Sequence, residues 1–502
     1  MIIDSRKKKL LLNTVTSVAY QILAVVLGFI LPKMFLNYYG SEINGLVSSI
    51  TQFLGFIALM ELGIGAVVQS VLYQPLVTKN NERISQIIRS SQRFFNRIAM
   101  FFLLYIIILS FIYPKVNNEF NPYYSSGLII IIAISSIAQY FFGINNQLLL
   151  MADQRIYVSN FISIFTLILN TIVSIIFIVN GYGIHMVKLA SATVLVLRPI
   201  LLKIYVDKHY HLIKNIEYSE EPIKQKWNGI AQHLASFVLN NTDVFLLTIF
   251  SGLTKVSIYV IYKLITNGLQ QVIISLTAGI QSLFGHMLAN NEFDNLKSKF
   301  LQFEWLVHTL VVLIFSCTSV LIVPFVTIYT KGISDANYIQ PVFGLVLTIS
   351  VAMYSIRLPY NIIVLAAGHF KETQLSAFVE MILNIVISLL LVRKFDITGV
   401  AVGTLVAMTY RTIYFAKYLP NIIKDYKFNE FIKHIIVDTL TFLFIIKVAS
   451  FFSISSDNYF EWIISAIQVF LFSLMTTMII NMIFYRKQVL NNLKVLFNKN
   501  TF

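Results

Sequence analysis

Fourteen apolar runs, most of them near 20 residues long, follow one another along this chain and leave room only for short connections. A bilayer's hydrocarbon core is about 30 Å thick and a helix rises about 1.5 Å per residue, so a run of about 20 apolar residues crosses it. The runs fall at 10–32, 45–72, 98–113, 125–150, 158–179, 184–206 and 229–250, then at 256–285, 305–328, 339–364, 375–392, 396–418, 431–452 and 461–484. Backbone groups in lipid must be satisfied within their own segment, so each run is expected to be a helix. The sequence therefore predicts an all-α polytopic membrane protein. Composition agrees: 12% of the residues are charged, about half the share of about 25% in soluble domains. Soluble enzymes, nucleic-acid-binding domains and disulfide scaffolds are excluded on that ground. The lone Cys317 forms no intramolecular disulfide.

The charge surplus of +15 orients the helices. With the N-terminus in the cytoplasm, 26 of the 38 Lys and Arg lie in inner connections, termini and the span ends beside them and five in outer connections, Lys33 being taken with the end of the first span, the bias of the positive-inside rule. An extra or missing span would invert everything after it and erase that bias. Both termini are accordingly expected inside. The stretch Arg6-Lys7-Lys8-Lys9 before the first run is read as the start of an uncleaved helix, because the run is too long for a signal peptide. The basic surplus also favours anionic lipid over nucleic acid as a partner.

An internal repeat divides the chain. The segment from Leu150 has a weak counterpart from Leu365: Leu169-Asn170 matches Leu383-Asn384 and Arg198 matches Arg411, while LGIG at 62–65 faces LTAG at 276–279. The period of about 214 residues holds six spans, and an even number keeps both halves in the same orientation. The expected domains are a six-helix bundle over 1–206, a cytoplasmic linker over 207–228, a second six-helix bundle over 229–420, and two further helices with a basic cytoplasmic tail over 421–502. Twin bundles suit a carrier working by alternating access, with substrate held between the halves.

Several local features, in their order along the chain, give it the look of a known family: Glu61-Leu62-Gly63-Ile64-Gly65, Ala152-Asp153-Gln154-Arg155, Asn240-Asn241-Thr242-Asp243 and Ile397-Thr398-Gly399-Val400-Ala401. Together with fourteen spans and a 6+6 repeat, they make the whole chain resemble polysaccharide repeat-unit flippases of the Wzx type, in the MOP superfamily that also holds the MATE exporters. The resemblance implies a non-enzymatic flippase in a bacterial plasma membrane. Its cargo would be an undecaprenyl-diphosphate-linked oligosaccharide, moved from the inner to the outer leaflet in cell-surface polysaccharide biosynthesis, with other polysaccharide-assembly membrane proteins as further partners. The alternative is a MATE-type ion-coupled exporter of drugs or metabolites. A polysaccharide polymerase or ligase would need a large outer loop, and the longest outer connections here hold about a dozen residues. A cell-wall precursor flippase would differ only in the sugar.

Ionisable groups inside lipid are costly enough to be functional candidates. Arg198, Arg357 and Arg411 offer the planar fork that suits a diphosphate, and Pro359 is expected to interrupt the helix beside Arg357. Lys263 and Gln270 belong to a polar stripe on the eighth span with Tyr259, Tyr262, Thr266, Asn267 and Gln271. A second stripe runs through Gln232, Ser236, Asn240 and Asp243, and a third through Asn13, Ser17 and Gln21. Such faces either line a wet cavity for sugars or bond helix to helix. Glu61 and Asp243 are the candidates for proton or sodium coupling. No metal-ligand cluster, phosphate loop or nucleophile arrangement is legible, and the eight His are scattered, so no cofactor is expected.

Overall fold

The structure, a computed structural model, describes residues 2–489 apart from 62–63, 214–215, 217–220, 224–229, 278–279, 453 and 455–456. Every regular element among the described residues is a helix, and none is a strand. Two compact units divide after Ser257. The first holds α1 (Ile2–Gly55), α2 (Ile64–Val77), α3 (Asn81–Val116), α4 (Pro122–Ala138), α5 (Ile144–Ala152), α6 (Ile156–Val179), α7 (Ile184–His209) and α8 (Ile230–Phe250). The boundary falls in the second turn of α9 (Leu253–Thr277), and the second unit continues with α10 (Ile280–Ala289), α11 (Phe293–Tyr329), α12 (Pro341–Ile356), α13 (Leu358–Ala366), α14 (Phe370–Tyr418), α15 (Phe428–Ala449) and α16 (Tyr459–Phe484).

Ten helical stretches are long and apolar enough to cross a membrane. Two of them are each divided by a residue outside the helical region, Gly40 in α1 and Asp396 in α14. With α8 and α15, each over twenty residues long but outside those ten, helices account for the fourteen runs read from the sequence. α3 shows why lipid is the solvent. It buries Phe95, Phe102, Ile106 and Tyr113 on one face and exposes Phe101, Leu104, Ile108 and Phe111 on the other. A helix apolar all round has no place at a water surface. α3 also starts well before the apolar run at 98–113, because Arg83, Arg89, Arg93 and Arg97 extend the helix with residues no hydropathy window accepts.

The repeat is written into the backbone. Positive φ occurs at Gly40 and Gly252, at Lys79 and Asn291, at Gln154 and Gly368, and at Gly181 and Asp396. Within each pair the spacing is 212 to 215 residues, so the same turns recur at one period. LGIG and LTAG partly fall on 62–63 and 278–279, outside the described residues.

Each half contains the same hairpin. In the first, α6 and α7 turn at Gly181, and Asn170 accepts a hydrogen bond from Ser191 at 2.6 Å. In the second, α14 folds back on itself at Asp396, and Asn384 donates to Thr404 at 3.0 Å. Gly399 lets the two arms of α14 close: a Cβ there would stand 2.5 Å from the carbonyl oxygen of Leu391. A buried polar stripe runs along both hairpins, through Ser159, Ser163, Thr166, Asn170 and Ser174 on α6 and through Thr373, Ser376, Glu380, Asn384 and Ser388 on α14. In the second stripe Glu380 takes the place of Thr166.

Candidate functional site

The fourth crossing of each half is broken at matching places. Between α4 and α5 the five residues Gln139–Gly143 form a wider π-turn. Between α12 and α13 the break is at Arg357, 214 residues after Gly143, and Pro359 lacks the N–H that would continue the ladder. Breaks of this kind free backbone groups, and π-turns concentrate at functional sites.

In the second unit the break carries a charge cluster. Arg357 donates to Glu380 Oε1 through a very short contact, and Arg411 Nη1 donates to Glu380 Oε2 at 2.5 Å. All three residues are buried, Glu380 at 1% and each arginine at 5% exposure. The aromatic rings of Tyr354 and Phe415 lie against the Arg357 and Arg411 guanidiniums at 4.6 and 5.2 Å, the geometry of cation–π contacts. Two guanidiniums and one carboxylate leave one positive charge in excess, and Arg411 Nε has no hydrogen-bond partner. The hairpin brings this about: Glu380 and Arg411 sit on opposite arms of α14, facing each other because Gly399 permits the close turn.

In the first unit the corresponding arginine meets a neutral group. Arg198 Nη2 donates to Gln147 Oε1 at 3.2 Å, and the same oxygen takes a hydrogen bond from Gln139 of the π-turn at 3.3 Å. The π-turn also holds Tyr140, whose hydroxyl donates to Glu61 Oε1 at 2.5 Å. Glu61 follows a short 3-10 turn, Phe56–Met60, that interrupts the second crossing. Glu61 is therefore bonded to the π-turn directly, and Arg198 is linked to it through Gln147 of α5.

The other candidates disperse. The polar stripe on α9 resolves into two faces. Tyr259, Tyr262 and Thr266 are buried, with the Tyr262 hydroxyl donating to the Tyr338 carbonyl at 2.8 Å. Asn267 and Gln271 are exposed, and Lys263 and Gln270 half-buried. Two members of the α1 stripe are spent on α6 and the turn before it: Asn13 binds the Gln154 carbonyl and the Tyr157 N–H, both at 3.0 Å, and Ser17 accepts from Asn160 at 2.9 Å. Of the stripe on α8, the side chains of Gln232, Ser236 and Asn240 lie outside the described residues, while Asp243 is buried at 2% exposure. The motif at 152–155 is a turn, held by the Asp153 carboxylate between Arg155 (2.8 Å), Lys9 (3.6 Å) and the Tyr210 hydroxyl (2.6 Å). Burial and that carboxylate push the Tyr210 hydroxyl well above the ordinary phenol range.

Two arrangements escaped the sequence reading. Glu380 counts among the ionisable residues inside the spans, but its place as the carboxylate that Arg357 and Arg411 share does not follow from the sequence. The histidines, scattered along the chain, are not all scattered in space: His308 and His434 stack in the second unit with ring centroids 4.6 Å apart. The signal lay in spacing, since Glu304 and His308, and His434 and Asp438, are i, i+4 pairs on single helix faces. Among the described residues no group of His, Cys, Asp and Glu is placed to hold a metal.

No protein-family model and no curated protein matches the sequence. Solved structures do. One is the lipid II flippase MurJ in an inward closed conformation, with a TM-score of 0.71 and 14% identity over 95% of this chain and 100% of that one. An inward-facing multidrug resistance MATE family transporter of the MOP superfamily gives 0.56 and 13% over 81% of this chain and 96% of that one. A eukaryotic MATE transporter, AtDTX14, gives 0.58 and 13% over 85% and 98%. The chain has the fold shared by MurJ and the MATE transporters.

Proposed function

We propose that this protein is a flippase for a polyprenyl-diphosphate-linked oligosaccharide repeat unit, carried from the inner to the outer leaflet of a bacterial plasma membrane by alternating access, with both chain termini in the cytoplasm. It serves cell-surface polysaccharide assembly and performs no covalent chemistry. The observation that carries this reading is the Arg357–Glu380–Arg411 cluster, a buried site with one positive charge in excess beside a broken helix. A neutral or cationic drug gains nothing from such a site. A diphosphate offers oxygens that suit both guanidinium forks. Glu380 then acts as the resident stand-in for phosphate: it neutralises part of the charge while the site is empty and yields the forks to the headgroup. Arg198 is a second phosphate contact, held by an amide that a phosphate displaces at lower cost than a carboxylate. Lys263 and Gln270, both half-buried on α9, and Asn240 bind sugar hydroxyls. Glu61 and Asp243 remain the candidates for ion coupling.

Support for a lipid-linked cargo also comes from coverage. The MurJ fold extends over nearly the whole chain, whereas the two MATE folds leave about a sixth of it unmatched. The test is headgroup binding by the purified full-length protein in detergent. A short-chain polyprenyl diphosphate is expected to raise the thermal midpoint of the wild type, and Arg411→Lys, which keeps the charge and loses the fork, is expected to weaken that stabilisation at least about tenfold in ligand concentration. Equal stabilisation of both proteins, or stabilisation by a cationic dye in place of the diphosphate, contradicts the reading and favours the MATE-type exporter.

A further inference from the structure

The second unit holds a cluster of titratable groups that the proposed transport path does not use. A chain of hydrogen bonds crosses it: Asp438 Oδ2 to His308 Nδ1 at 2.6 Å, His308 Nε2 to the Tyr360 hydroxyl at 3.0 Å, and that hydroxyl to Glu304 Oε1 at 2.6 Å. Asp438 is on α15, His308 and Glu304 on α11, and Tyr360 on α13. Glu304, His308 and Tyr360 are 0–1% exposed, and Asp438, with 13% of its side chain exposed, is the most exposed member.

Three links need three protons. A neutral imidazole supplies one and a tyrosine hydroxyl supplies one, while ionised carboxylates supply none. The chain is complete only with one further proton, whichever of Asp438, His308 and Glu304 carries it, and the count does not depend on where the hydrogens are placed. Tyr426 brings its own proton to Glu304 Oε1 at 2.5 Å and relieves nothing. Glu304 Oε2 is fully buried and has no hydrogen-bond partner; the closest cation donor is His434 Nε2, at 3.9 Å.

We propose that Asp438, His308, Tyr360 and Glu304 form a buried proton-binding site, and that the bound proton fastens α15 to α11 and α13. The other groups facing it set its charge balance. From α15 come His434, whose ring stacks on His308 and whose Nδ1 pairs with the Tyr485 hydroxyl at 2.9 Å, together with Lys433 and Glu430. Two stacked imidazoliums repel, so the site takes one proton on this ring pair and not two. Proton exchange runs through Asp438. When the proton leaves to water, neutral His308 keeps its one N–H on the wholly buried Tyr360, the link given up is the one to Asp438, the most exposed member, and the contact between α15 and the bundle weakens. Docked α15 thus binds one proton more than undocked α15, and docking weakens as pH rises.

Two substitutions remove the need for the proton without removing the contact. In Asp438→Asn the amide donates to His308 Nδ1, and neutral imidazole then completes the chain. In Tyr360→Phe the middle links disappear, and neutral His308 still donates to Asp438. The experiment is hydrogen–deuterium exchange over residues 428–449 of the full-length protein in lipid nanodiscs, at about pH 6 and about pH 9, corrected for intrinsic exchange. The wild type is expected to lose protection of α15 by up to about tenfold per pH unit above proton release, the slope of one proton. Both variants are expected to be equally protected at the two values. A wild type whose protection does not change with pH, or variants that follow the wild-type pH response, overturns the proposal. The readout needs no transported substrate, so it stands or falls separately from the flippase reading.

Discussion

Arg357 and Arg411 share one carboxylate, and that arrangement sets what each substitution costs. Glu380→Ala strands two buried guanidiniums, and breaking a buried pair in this way costs about 3–5 kcal/mol; thermal unfolding in detergent is expected to show it. Arg198→Ala removes one hydrogen bond to an amide whose oxygen keeps its bond to Gln139, so its cost is expected near about 1 kcal/mol. The two measurements together test the asymmetry between the halves, and equal losses contradict it. At this scale the sequence was legible in part. Arg198 and Arg411 stood out as matched cations in lipid, and the break at Arg357 followed from Pro359. The partners were not legible: a Gln and a Glu become neighbours of those arginines only through hairpin geometry that a one-dimensional pattern does not carry. Glu380 had a trace in the sequence all the same, as the charged member of a Ser/Thr/Asn stripe whose counterpart on α6 has Thr166.

At the scale of elements, most helices were legible because lipid imposes a length and a composition. The boundaries were less so. Hydropathy sees only the part of α3 inside the hydrocarbon and misses its basic first turns, and it treats 45–72 as one span although the helix is interrupted after Gly55. The cut between 375–392 and 396–418 falls where α14 turns, at Asp396. That turn depends on one close approach. Gly399→Val places a branched side chain against the Leu391 carbonyl, and the expected result is a loss of about 1–3 kcal/mol, read as a lower thermal midpoint. Because the hairpin aligns Glu380 with Arg411, any Gly399→Val protein that does fold is also expected to bind headgroup more weakly. Normal binding in such a protein would separate the turn from the site. The polar stripes on α1 and α9 teach the opposite lesson: periodicity finds a polar face but does not say whether water or another helix covers it.

For the molecule as a whole, the six-span repeat is the feature on which sequence and structure agree most deeply. A weak match of apolar segments becomes, in three dimensions, four pairs of positive-φ turns, two equivalent Asn-centred hairpins and two broken helices at one period. The charges do not repeat with the backbone: the second half has an acid between two arginines, and the first half has one arginine on an amide. A carrier built from equivalent halves with unequal sites is suited to a substrate that is itself unsymmetric, with an anionic headgroup at one end and sugars at the other. The most direct test is translocation by the purified protein in liposomes of a fluorescent polyprenyl-diphosphate oligosaccharide, scored by accessibility to a membrane-impermeant quencher. The account predicts transfer by the wild type and at least about a tenfold slower rate for folded Arg357→Ala and Arg411→Ala. Wild-type rates from both variants, or no transfer of any polyprenyl-diphosphate sugar, would contradict it.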